Sequence, residues 1–306
     1  MAYRLDPGRS IGDEVRRVAR DQLAEAIAHL RVEPEPATED VHKARTSLKK
    51  LRSLLRLVRD ELGSTHWRNL DRRLRDAGRA LAGRRDADVV RATFETLAKQ
   101  LAGRVDADVV EGVRAQLARE RAAVGASTGT DALIADLDAM RLTVDGWPVR
   151  DGGFATIAPA VARLHRQGRR ALAELGEEPD DEQLHELRKR AKDLWYQLRL
   201  LHKVWPPVMK VLADEAGELS DTLGDHHDLA VLRTVLCERH VALLRGEELM
   251  ITAIDEGRAR LEDRSRHLAA RLYADPPKPW TNRLGRWWAT AAEDVGGQEE
   301  MIEGHG

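Results

Sequence analysis

Six basic side chains recur at three- and four-residue intervals early in the chain: His42, Arg45, Lys49, Arg52, Arg56 and Arg59. On a helix, which turns once every 3.6 residues, that spacing gathers them into one row. Lys50 flanks the row, and no acid interrupts it between Asp40 and Asp60. Like charges stacked in this way repel unless something anionic lies over them. The chemistry on offer is therefore anion binding. Arginine supplies forked donors to phosphate oxygens, lysine a point charge, and histidine a proton exchangeable near neutral pH.

The row recurs 143 residues later as His185, Arg188, Lys192, Trp195, Arg199 and His202, with Lys189 beside it. A second motif recurs 142 residues apart: Leu81-Ala-Gly-Arg-Arg-Asp86 and its sequel resemble Leu223-Gly-Asp-His-His-Asp228 and its sequel. Two motifs repeated in the same order point to an internal duplication. A third basic row, Arg68, Arg72, Arg75 and Arg79, follows the first, with Arg85 at its end. Its counterpart keeps only Lys210 and carries Asp214, Gly217 and Asp221 in the other places. The two halves are therefore expected to bind unequally, the first more strongly.

Apolar residues set the elements that position these rows. Val41, Ala44, Leu48, Leu51, Leu55, Val58 and Leu62 form a seam one residue ahead of the first row, and Leu184, Leu187, Ala191, Leu194, Leu198 and Leu201 do the same for the second. Such seams face a partner helix. The periodicity predicts helices over about 10–31, 39–62, 65–82, 86–102, 106–124, 154–175, 181–204, 207–223, 227–245 and 247–273. Thr38, Asp86, Asp180 and Asp228 are read as helix N-caps. Loops are expected at Gly125–Gly129 and Asp145–Gly153, the latter joining the halves. The predicted fold is all-α: two pseudo-symmetric helical bundles of about four to five helices each, over 1–145 and 146–275, and a tail over 276–306. The tail's Trp280, Leu284, Trp287 and Trp288 are expected to pack back across the bundle.

Composition adds exclusions. The chain is 42% apolar, enough for a real core, and its 50 basic and 52 acidic residues nearly cancel. Net charge thus predicts no polyanionic partner, and only charge placement does. The single Cys237 rules out an internal disulfide and a Cys-rich metal site. The first residues are polar and no run of about 18 apolar residues occurs, so a cytoplasmic protein without a transmembrane segment is expected. No cofactor or resident metal is expected.

His-x-x-Arg-x-x-x-Lys-Lys-Leu-Arg at 42–52, echoed as His-x-x-Arg-x-x-x-Lys at 185–192, resembles the CHAD (conserved histidine α-helical domain) family. Arg85-Asp86…Val89 and Asp228…Val231 resemble its second signature. The resemblance spans roughly residues 8–275. It implies a basic channel between the bundles that binds inorganic polyphosphate without catalysis. His42, Arg45, Lys49, Lys50, Arg52 and Arg56 would line one side. His185, Arg188, Lys189, Lys192 and Arg199 would line the other, with Arg72, Arg75 and Arg79 as a supporting wall. Location in polyphosphate granules would follow. Where the second half of family members often has further bases, this sequence has Asp193 and Trp195, though Tyr196 matches. Glu33-Pro-Glu35 lacks the Lys of the Glu-x-Glu-x-Lys triphosphatase motif, so that activity is not expected. Two alternatives stand. Single-stranded nucleic acid would need stacking platforms, for which Trp195 and Tyr196 qualify. A metal-dependent phosphohydrolase would use Asp225, His226, His227 and Asp228.

Overall fold

A computed structural model describes residues 3–33, 36–81, 83–123, 130–238 and 247–303. Within these residues the chain is all-α, with no strand. The helices are α1 (Ile11–Leu30), α2 (Thr38–Leu57), α3 (Arg59–Leu62), α4 (Ser64–Ala80), α5 (Gly83–Gln100) and α6 (Ala107–Ala123). They continue as α7 (Asp131–Thr143), α8 (Phe154–Ala173), α9 (Asp181–Leu200), α10 (Pro206–Glu238), α11 (Glu247–Leu272) and α12 (Pro277–Glu303). None of the described helices is long and apolar enough to cross a membrane.

Both seams are where the spacing puts them. Ala44, Leu48, Leu51 and Leu55 of α2 are buried, as are Leu184, Leu187, Ala191, Leu194 and Leu198 of α9. They enter a large core shared with α1, α4, α7, α8, the first part of α10, and α12. A second, smaller core joins Phe94, Leu97 and Leu101 of α5 and Val113 and Leu117 of α6 to Leu232 and Leu236 of α10 and Met250 and Ile254 of α11. Both cores mix residues from before and after the expected junction at 145.

Several local expectations are corrected. Asp180 caps α9 through a reciprocal capping box with Gln183, but Thr38 is itself the first residue of α2 and caps nothing. Among the described residues, seven helices, not four to five, precede residue 145. The break at Val58, whose ψ of 16° leaves the helical range, splits the expected 39–62 helix and makes α3 separate. Helix α7 is an addition to the predicted helices, because its apolar residues follow no clear stripe. Helix α10 runs unbroken through Gly224, so Asp228 lies inside a helix and caps nothing. Gly224 serves a close approach instead of a stop. Asp86 also lies inside its helix, since α5 starts at Gly83. The expected loop at Gly125–Gly129 and the end of the 227–245 helix lie outside the described residues.

The tail forms α12 and packs against α8. Trp280, Leu284 and Trp288 are buried. Trp280 stacks on His165 with ring centroids 4.9 Å apart, and Trp288 meets Phe154 at 5.8 Å. Replacing Trp280 by Ala leaves a large cavity in this contact. The expected loss is about 3 kcal/mol in urea denaturation, with no change in anion binding.

Candidate functional site

Two contacts fix how α4 lies on α2. Arg52 makes a bidentate ion pair with Asp71, at 2.9 and 3.3 Å. Arg45 donates from Nη1 to the Leu81 carbonyl at 2.8 Å, satisfying an end-of-helix acceptor of α4. The helices therefore run in opposite directions, and Arg72, Arg75 and Arg79 fall alongside the stretch from Arg52 back to Arg45. All three are exposed on the outer side of α4. His42, Arg45, Lys49 and Arg52 are half-buried in the groove beside them. Among the described residues, the carboxylates that pair with this group are Asp71 with Arg52 and Asp76 with Arg75 (3.3 Å) and Arg79 (3.8 Å). The expected acid-free surface is thus corrected: Asp71 and Asp76 stand at the border of these cations.

Other members of the first row serve elsewhere. Lys50 turns toward α1, 3.8 Å from Glu25 and 5.8 Å from the centre of the Tyr3 ring. Burial pushes its ammonium below the usual lysine range. Arg56 reaches Asp193 of α9, whose side chain is only 5% exposed and also lies 3.2 Å from Arg190. This is a buried cation–carboxylate–cation cluster, and it ties α2 to α9. Asp193 is held above the usual carboxylate range, because burial outweighs the pull of Arg56, Arg190 and Arg52.

The direction of α9 follows from the same contacts. Arg56 meets Asp193 while Lys50 lies near Arg199, and Tyr3 packs against Lys50 and Tyr196. Hence α2 and α9 cross in opposite directions near Ser53 and Tyr196. His42 and His185 each stand about three turns before that crossing, which puts them on the order of 30 Å apart at a rise of about 1.5 Å per residue. The two rows do not face each other across one trough. They run end to end.

On the second row, Lys189 pairs with Glu186 at 2.6 Å and Arg199 lies over Trp195, 4.9 Å from its ring centre. Lys192 is half-buried. The groove among α9, α10 and α11 is lined by Trp195 with Asp214, Glu218, Asp221 and Asp225, and by Arg264, which pairs with Glu218. Acids outnumber bases in this lining, unlike that of the α2–α4 groove. Tyr196 is buried, and the Trp195 ring is half-buried with the Arg199 guanidinium over it, so neither offers an open stacking platform to a nucleic acid. Asp225, His226, His227 and Asp228 fan around consecutive positions of α10. His226 is buried and accepts from Arg258 Nε at 3.3 Å, while the His227 ring turns to His185. Burial, with Arg258 beside it, pushes His226 down to about 4. No group of three or more metal-ligating side chains is assembled among the described residues.

A family model for the CHAD domain matches residues 17–237. The chain belongs to the CHAD family. Its fold is also that of a solved CHAD domain from the plant Ricinus communis, with a TM-score of 0.60 and 20% identity over 90% of this chain and 95% of that one. Two Mycobacterium tuberculosis proteins described as uncharacterized, from strains CDC 1551 and H37Rv, are each 27% identical over 242 residues. Those matches cover 75% of this chain and 46% of each relative, so the CHAD chain spans about half their length. Within the CHAD region, His227 is a neighbour of His185 that the sequence reading did not place there. It belongs beside the second row, a position that only the pairing of α9 with α10 reveals.

Proposed function

We propose that this protein binds inorganic polyphosphate, without catalysis, in the groove between α2 and α4. The observation that carries the reading is the register set by Arg45 and Arg52. It lays Arg72, Arg75 and Arg79 along His42, Arg45, Lys49 and Arg52 as a line of cations. A linear polyanion with a charge on every phosphate calls for a line, whereas a compact anion would call for a cup. Guanidinium forks suit its oxygens. The two halves are read as related by duplication, with the first carrying most of the affinity. A cytoplasmic role such as tethering to polyphosphate granules fits this binding.

Nucleic acid has the weaker claim, because no exposed aromatic is interleaved with the α2–α4 cations among the described residues. The test is a titration with long polyphosphate in competition with a single-stranded oligonucleotide of equal charge. The oligonucleotide is expected to displace polyphosphate poorly. Equal competition would replace the polyphosphate reading by general polyanion binding. Phosphate release on adding Mg²⁺ would overturn the non-catalytic part.

A further inference from the structure

Trp205 ends the connection between α9 and α10, and 46% of its surface faces water. Its ring meets that of Trp287 on α12 edge to face, with centroids 5.0 Å apart. The contact joins the α9–α10 connection to the first half of α12 on one outer face. Pro206 and Pro207, which open α10, are exposed, and Val211, one turn beyond Pro207, is 62% exposed. Five large apolar side chains are exposed among the described residues, and two of them, Trp205 and Val211, stand here within six positions. Apolar surface gathered in one place marks an interaction site, whereas scattered single residues do not.

Charge on this face is uneven. No acid occurs between Asp193 and Asp214, or between Asp275 and Glu293, in a chain that is one-third charged. These two stretches are the ones that meet at Trp205 and Trp287. They carry Lys203, Lys210, Arg283 and Arg286, all exposed. The bordering carboxylates, Asp6, Asp214 and Asp275, pair with Lys203, Lys210 and Arg283 respectively. Arg286 adds a cation one turn from Arg283, and Arg4 adds another beside His202, so cations outnumber carboxylates here. The Arg283 guanidinium lies over Trp280 and Trp287, 5.3 and 5.6 Å from their ring centres, which holds charge against apolar surface.

We propose that this face docks onto a membrane surface rich in anionic lipid. Indole rings favour the depth at which headgroups meet acyl chains, and cations beside them gain from anionic headgroups. Val211 and the two prolines offer nothing to a bare phosphate chain or a nucleic acid, yet they gain by leaving water. A second copy of the chain suits the face less, because a twofold contact would bring these cations onto their own copies. Trp280, Leu284 and Trp288 stay in the core throughout, so α12 docks without leaving the bundle. No residue of the face belongs to the α2–α4 groove. The proposal therefore stands whatever anion that groove holds.

The experiment measures co-sedimentation of the full chain with vesicles of phosphatidylcholine alone and of phosphatidylcholine mixed with phosphatidylglycerol. Wild type is expected to bind the mixed vesicles at least about 10-fold more tightly. Arg283→Gln/Arg286→Gln should weaken that binding about 30-fold. Trp205→Ala/Val211→Ser should weaken it about 10-fold, and urea midpoints near wild type should show that this exposed pair is not needed for folding. Replacing Arg72, Arg75 and Arg79 by Ala should leave vesicle binding unchanged. Failure of wild type to bind the mixed vesicles, equal binding to both kinds, or loss of binding in the α4 variant overturns the proposal. Loss in the arginine variant with none in Trp205→Ala/Val211→Ser makes the face a general anion site and overturns it too. Dimers of wild type in sedimentation velocity that Trp205→Ala/Val211→Ser abolishes would assign the face to a second copy instead.

Discussion

Replacing Arg72, Arg75 and Arg79 together by Ala is expected to weaken polyphosphate binding about 100-fold at low salt. Exposed ionic contacts contribute roughly 1 kcal/mol each at best, and three of them sum to about two powers of ten in affinity. The fold should scarcely notice. All three side chains are exposed on α4, and the pairings of Arg75 and Arg79 are with the exposed Asp76, so stability should stay within about 0.5 kcal/mol of wild type. Isothermal titration and urea denaturation of the same preparation check both parts. Unchanged affinity in a folded variant would place the ligand away from the α2–α4 groove. The choice of residues matters. Arg52 and Arg45 hold Asp71 and the end of α4, so removing them mixes lost binding with lost structure.

Replacing Arg56 by Ala should do the opposite, costing stability while leaving affinity near wild type. Its guanidinium lies against Asp193, and removing one partner of a buried pair costs about 3 kcal/mol, because the remaining charge is stranded. Arg190, 3.2 Å away, keeps the loss from being larger. The pH dependence has a definite sign. The Asp193 carboxyl is already raised by burial, so its contribution is complete below the unfolded-state value and is lost as pH rises through the folded-state value. Without Arg56 that folded-state value rises further. The deficit of the variant should be small at acid pH, where Asp193 is protonated in both proteins, and largest at neutral pH. Urea midpoints across that range check this. A deficit independent of pH would mean that Arg56 acts through packing and not through charge.

These two variants mark where the sequence stops being readable. Periodicity is a local property, and it located α2, α9 and their buried seams. The apolar spacing of Trp280, Leu284 and Trp288 likewise anticipated that α12 packs back. The basic rows were legible for the same reason. What each cation does was not legible, because its partner is set by tertiary packing. Arg56 and Asp193 are 137 positions apart, and nothing in either neighbourhood announces the pair. Lys50 sits in the same basic run as Lys49 yet faces Glu25 on α1. Gly224 falls in the gap between the predicted helices 207–223 and 227–245, and glycine weakens helices. It is retained inside α10, where the Arg188 guanidinium needs the room. His227 is given a role in the sequence reading only as one of four consecutive residues, Asp225 to Asp228, of the phosphohydrolase alternative. On a helix adjacent residues diverge by about 100°, and only the antiparallel neighbour decides which of them reaches a row.

The measurement closest to the heart of this account is the affinity of the unmodified protein for long polyphosphate at two salt concentrations. Displacing condensed counterions from four or five phosphates predicts a log–log slope of roughly −3, taking about −0.7 for each phosphate neutralised, as for single-stranded nucleic acid. A steep fall of that size is the predicted result. Absence of binding at low salt, or an affinity indifferent to salt, would contradict the claim that a line of cations between α2 and α4 holds the chain.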